Sequence, residues 1–133
     1  MNNLPPGMVV GIGLDLAEVG KVASALERHG ERFIRRVFTE HERQYCGGKN
    51  APAQFYAARF AAKEAVSKAF GTGIGAELGW QDMEVTHTAS GAPEMRLLGK
   101  GVELATRRGV GSILLSLTHT PLMAAATAVL ISG

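Results

Sequence analysis

The chain has 133 residues, 46% apolar and 20% charged, with 14 Lys and Arg against 12 Asp and Glu. A net charge of +2 excludes the strong basic field of a nucleic-acid binder, and the length fits a single domain over residues 1–133 with a sizeable core. Cys46 is the only cysteine, so no intrachain disulfide can form and a reducing, cytoplasmic setting is expected.

The N-terminal MNNLPPG has neither a basic region nor a long apolar stretch, so no secretory signal is expected. The longest apolar run, near Leu122–Ile131, is too short to span a membrane. Met8–Leu16 alternates with strand periodicity. Met8, Val10, Ile12, Leu14 and Leu16 form the expected core face. Val9, Gly11, Gly13 and Asp15 form a nearly bare face that another element can approach closely. Glu18–His29 reads as a helix stopped by Gly30, with a short helix over Glu31–Val37. Between Glu18 and Arg36 the cations Lys21, Arg28, Arg32, Arg35 and Arg36 outnumber Glu18, Glu27 and Glu31. That excess fits either a solvated helix face or a surface for an acidic partner.

Thr39-Glu-His-Glu42 has the form of a capping box opening a third helix, and Gly47–Asn50 is a loop. Pro52 suits the first turn of a long helix. At roughly 100° per residue, Phe55, Ala58, Ala61, Ala62, Ala65, Val66 and Ala69 gather on one half of it. Arg59, Lys63, Glu64, Ser67 and Lys68 gather on the other, with Phe60 among them. The alanine stripe permits close packing on the glycine-rich strand face. After a turn over Gly71–Gly75, the strands Trp80–Thr86 and Glu94–Leu98 flank a hairpin turn at Ala89–Pro93. Gly99–Arg108 reads as a helix closed by Gly109, and Ser112–Thr120 and Met123–Ile131 as strands around Pro121. Without regular βαβ alternation the expected class is α+β, with a mainly antiparallel sheet packed around the long central helix.

Glu64 and Lys68 sit one helical turn apart. They are either a surface ion pair, worth a few tenths of a kcal/mol, or part of a site running into the Gly71-Thr-Gly73 turn. Asp15 is either a carboxylate opening the next helix or a metal ligand. His119 shares strand parity with Ile113, Leu115 and Leu117 but is flanked by Thr118 and Thr120, so a core-edge ring and a polar site both fit. The G-x-G-x-x-A string at residues 71–76 follows a helix where a dinucleotide fingerprint would open one. The sequence has no P-loop, no zinc spacing around Cys46 and no G-x-S-x-G elbow. What remains is a hard, oxygen-ligated cation such as Mg²⁺ with phosphate chemistry.

Four segments carry a resemblance: Gly11-Ile-Gly13-Leu-Asp15, Arg59 through Gly73, Trp80-Gln-Asp82-Met-Glu84-Val, and Ser116-Leu-Thr118-His119-Thr120. From Gly11 to about Val129 the chain resembles the holo-acyl-carrier-protein synthases of the 4′-phosphopantetheinyl transferase superfamily. The resemblance implies transfer of phosphopantetheine from coenzyme A to a serine of an acyl carrier protein, releasing adenosine 3′,5′-bisphosphate. It implies Mg²⁺ held by Asp15 and Glu64, with Glu64 and Lys68 as the catalytic pair. Coenzyme A would contact Arg59, Ser67, Lys68, Gly71, Gly73, Gly91, Pro93 and His119. It also implies a homotrimer with active sites between subunits, and an acidic carrier docked on the basic helix through Lys21, Arg28 and Arg35. Three positions depart from the family: Ala92 replaces a hairpin lysine, Lys21 replaces a frequent arginine, and Glu31 adds an acid to the carrier-facing helix. A non-catalytic module binding coenzyme A or an acidic protein is the alternative; the joint presence of Asp15, Glu64 and Lys68 argues against it.

Overall fold

The structure, a computed structural model, describes residues 4–133. Met1–Asn3 of the N-terminal segment discussed above lie outside the described residues. The chain runs β1 (Val9–Glu18), α1 (Val19–His29), α2 (Glu31–Val37), α3 (Glu40–Gly47), α4 (Pro52–Phe70), β2 (Met83–His87), β3 (Pro93–Leu97), α5 (Lys100–Arg108), β4 (Val110–His119) and β5 (Met123–Ser132). A three-stranded antiparallel sheet has the order β1-β5-β4, and β2 and β3 form a separate antiparallel hairpin. The α+β class is as expected, and the strand at Trp80 begins instead as a 3-10 turn over Trp80–Asp82.

Local signals set most boundaries. The capping box is formed: the Thr39 hydroxyl accepts from the Glu42 amide and Glu42 Oε1 accepts from the Thr39 amide at 2.8 Å. Pro52 occupies the first turn of α4, where its missing N–H costs no hydrogen bond. Gly71 closes α4 in the left-handed conformation at φ 78°, which a side chain would strain.

Gly11 and Gly13 of β1 face α4, and a Cβ built on Gly13 would collide with the Ala65 carbonyl. The helix therefore lies directly on strand backbone. Ala61, Ala62 and Ala65 of α4 fill the gap against Ala126, Ala128 and Leu130 of β5, with Met83, Val85 and Leu104 completing the core. A second cluster joins Val19, Val22, Phe38, Tyr56 and Ala58, tying α1 to α4.

One expectation is corrected. The apolar face of β1 is not core: Ile12, Leu14 and Leu16 are 70%, 64% and 64% exposed. Only one face of a three-stranded sheet can receive α4, and the helix takes the face where glycine lets it come closest. Val10 does pack against the core, because the strand slips register between Val9 and Gly11 and its parity changes there. On the polar half of α4, Arg59, Lys63 and Ser67 are all buried. Lys63 Nζ is held by Glu42 Oε1 at 2.7 Å and by the carbonyls of Val37 and Trp80, so all three of its donors are used.

Candidate active site

The structure splits the expected constellation into two halves. The first lies at the β1 edge. Asp15 points to the α4 side of the sheet, and Lys68 Nζ reaches its Oδ1 at 2.8 Å and the Leu14 carbonyl at 3.2 Å. Glu64, one turn earlier on the same face of α4, is half-buried. Burial raises its carboxyl above the ordinary value and the Asp15 charge raises it further, against a lowering by Lys68. The hydrogen bond from Lys68 to Asp15, then the Asp15 charge, hold the ammonium above the usual lysine value. Two carboxylates that repel each other beside one lysine form an electrostatic frame that a cation relieves.

This donor set fits Mg²⁺. The ion takes one or two protein carboxylates and completes its octahedron with water and phosphate oxygens. No trio of His, Cys, Asp or Glu able to hold a metal occurs among the described residues, so the pair would rely on a phosphate substrate for its remaining ligands.

The second half lies at the β4 edge. A cavity of about 200 Å³ is lined by Tyr45, Phe55, Arg59, His87, Pro93 and His119, among others. Arg59 NH2 lies 3.3 Å from His87 Nε2 and the guanidinium sits 4.4 Å from the centre of the Tyr45 ring. His119 Nδ1 meets Gln54 Oε1 at 3.0 Å, and its ring lies edge-on to Phe55. Pro93 brings the hairpin into this cavity, and Gly91 turns its tip at φ 90°. Tyr45, Gln54 and His87 were not singled out from sequence. A histidine on a hairpin and a tyrosine in a short helix carry no spacing signal; only folding brings them to Arg59.

Asp15 pairs with Ala126, and Ala126 pairs with Leu117, which lines the Arg59 cavity. The two halves are thus two strands apart, about 10 Å across the sheet. Ser67 and the glycine turn lie near the first half, yet their polar groups are engaged. The Ser67 hydroxyl donates to the Glu64 carbonyl at 2.7 Å. The amides of Gly71, Thr72 and Gly73 donate to the carbonyls of Lys68 and Ser67. Nothing would obstruct a side chain at Gly71 or Gly73, so what this turn offers is open space beside the carboxylates. On α1 and α2, Lys21 lies 3.8 Å from Glu18, and Arg35 donates to Glu31 at 3.0 Å.

Comparison with known proteins identifies the family. The sequence profile of the 4′-phosphopantetheinyl transferase superfamily matches residues 11–126. A holo-[acyl-carrier-protein] synthase of Methylobacterium radiotolerans is 48% identical over 123 residues, 90% of each chain. The Bacillus anthracis synthase, solved in complex with CoA (3′,5′-ADP), superposes with a TM-score of 0.79 at 36% identity, covering 95% of this chain and 99% of its own. The Helicobacter pylori synthase, in complex with coenzyme A, gives a TM-score of 0.80 at 28% identity over 90% of this chain and 98% of its own. By sequence and by fold, the chain belongs to the 4′-phosphopantetheinyl transferase superfamily.

Proposed function

We propose that the protein transfers 4′-phosphopantetheine from coenzyme A to a serine of an acyl carrier protein, as a Mg²⁺-dependent homotrimer of the cytoplasm. The carrying observation is the Asp15–Glu64 carboxylate pair, set on strand and helix backbone, with Lys68 bonded to Asp15. When bound by Asp15 and Glu64, Mg²⁺ would offset the negative charge that builds on the departing adenosine 3′,5′-bisphosphate.

The side chains supply the rest. Lys68, held at Asp15, adds a fixed cation beside the transferring phosphate. Glu64, directly or through a water, accepts the proton of the attacking serine. Ser67 fixes the local geometry of α4 from within, and the Gly71–Gly73 turn leaves room for the pyrophosphate. Arg59, His119 and the Gly91–Pro93 hairpin receive the nucleotide end.

Two features support the trimer. The half-sites sit on the two edge strands of one sheet, where a neighbouring copy can bring the complementary half. The outer face of that sheet exposes Ile12, Leu14, Leu16 and Leu114, a contiguous apolar surface of the kind that marks an interface. The carrier docks on α1 and α2, which carry Lys21, Arg28 and Arg35, and an apolar groove between Val22, Phe33 and Phe60 opens beside Lys21. Arg35 already pairs with Glu31, so part of its charge is spent within the helix.

A Glu64→Gln variant tests the assignment. Transfer should fall by about 10²-fold or more while carrier affinity, measured by titration calorimetry, stays as in the wild type. Transfer at the native rate would remove Glu64 from the mechanism. Native carrier binding with no transfer in the wild type would favour a binding module.

A further inference from the structure

The Arg59 cavity holds an imidazole that none of the motifs above includes. A guanidinium has five donors and no acceptor. The 3.3 Å contact from Arg59 NH2 therefore makes His87 Nε2 the acceptor, with the ring neutral and its proton on Nδ1. The same ring stacks on Tyr45 at 4.8 Å. Tyr45 is thus a shared platform for the imidazole and the Arg59 guanidinium.

Arg59 is only 4% exposed, and its Nε–H is buried without a partner. A buried, unmatched donor on a residue lining a cavity calls for an acceptor from outside the chain. Among the described residues, the groups whose field acts on His87 are all basic. Arg59 comes from α4, and His41 and Lys49 from α3 and the loop after it. On β3 its cross-strand partner is the uncharged Pro93, and across the cavity stands His119 of β4. Burial, then Arg59, His41 and Lys49, hold the His87 imidazole below its ordinary value. An anion entering here would reverse that balance.

The chemistry of the anion follows from charge. A phosphate monoester is close to a dianion at neutral pH, whereas each phosphate of a pyrophosphate diester carries one charge. Of the residues lining the cavity, Arg59 is the one permanent cation; Lys49 lies outside that lining, over the Tyr45 and Phe55 rings, and Ala92 at the hairpin tip supplies no charge. We propose that His87 is the proton-linked partner of Arg59 for the phosphate monoester of coenzyme A. Neutral, it accepts from Arg59 and keeps the guanidinium on Tyr45. On binding, the imidazole takes one proton from solvent at Nε2, releases Arg59 NH2 and donates to the phosphate, and Arg59 turns the freed NH2 and its unpaired Nε–H to the same group. The proton returns to solvent when the bisphosphate product leaves. This rests on the transferase reading for the identity of the ligand.

Linkage sets the sign. A ligand that favours the protonated ring binds more tightly at lower pH. The KM for coenzyme A should rise by up to tenfold per pH unit above the His87 pKa of the free protein, until the pKa of the bound state is passed. The turnover rate should not follow this slope.

The test measures KM and kcat across the imidazole range for the wild type and for His87→Gln, which keeps an acceptor for Arg59 but cannot titrate. Coenzyme A and 3′-dephospho-coenzyme A serve as donors. In parallel, imidazole NMR follows His87 in the wild type with and without adenosine 3′,5′-bisphosphate. The expected result is a KM slope that disappears in His87→Gln and with the dephospho donor, and a His87 pKa raised by about one unit or more by the bisphosphate. A slope retained in His87→Gln, an equal slope with the dephospho donor, or a His87 pKa unmoved by the bisphosphate would each overturn the proposal. Absence of transfer under all conditions would instead refute the transferase reading, and the imidazole titration would still decide whether His87 serves a phosphate site.

Discussion

Lys63 and Glu64 are adjacent in sequence and opposite in environment. Glu64 stays at the surface of the carboxylate site, while Lys63 is fully buried against Glu42. Burial pulls the Lys63 ammonium below the ordinary lysine value and the Glu42 charge opposes it. Glu42 also accepts from the Val85 amide with its second oxygen at 2.6 Å, so one carboxylate ties α3, α4 and the hairpin. The capping role of Glu42 was legible, because it depends on four consecutive residues. Its pairing with Lys63 was not, because burial of a lysine depends on what covers it, here Val37 and Trp80. Removing one partner of such a pair leaves a charge buried alone, which costs about 3–5 kcal/mol. Glu42→Ala should lose about that much stability in urea denaturation, and a loss under about 1 kcal/mol would show that the pair does not join these elements.

At the scale of elements, the glycines of β1 decide where α4 lies. Their bare face was legible as a place of close approach, and the helix does dock there. The opposite face was misassigned, because alternation shows that a strand has two faces without showing which one its own chain covers. At Gly13 the obstruction to a Cβ is backbone of Ala65 and Ala69, not a side chain that could swing away. Gly13→Ala should therefore destabilise by about 3 kcal/mol, read from the thermal or denaturant midpoint, and shift Asp15 relative to Glu64 enough to impair transfer. Gly20→Ala in α1 meets nothing within 4 Å and should instead be stabilising, by about 1 kcal/mol. Equal effects at the two positions would refute the tight β1–α4 docking.

For the whole molecule, the arrangement of half-sites matters more than any residue list. Glu64 and Lys68 were legible as neighbours from helical spacing, and the bare face of β1 as a place where docking of α4 brings Asp15 towards them. His119 and Arg59 were expected together and do line one cavity, but their separation from Asp15 was not legible, because it depends on the strand order β1-β5-β4. The Arg59 cavity gathers Tyr45, His87 and Pro93 from three separate segments, and no local pattern announces such a meeting. In the proposed trimer the outer sheet face is buried between copies, so Leu14→Asp should give monomers in light scattering, retain helical circular dichroism and lose transfer. A monomeric wild type with full activity would refute shared sites.

The most direct test is the intact mass of an apo acyl carrier protein after incubation with the purified protein, coenzyme A and Mg²⁺, with and without a chelator. The account predicts a gain of one phosphopantetheine group that the chelator abolishes. An unchanged carrier mass across several carriers and divalent metals would contradict it.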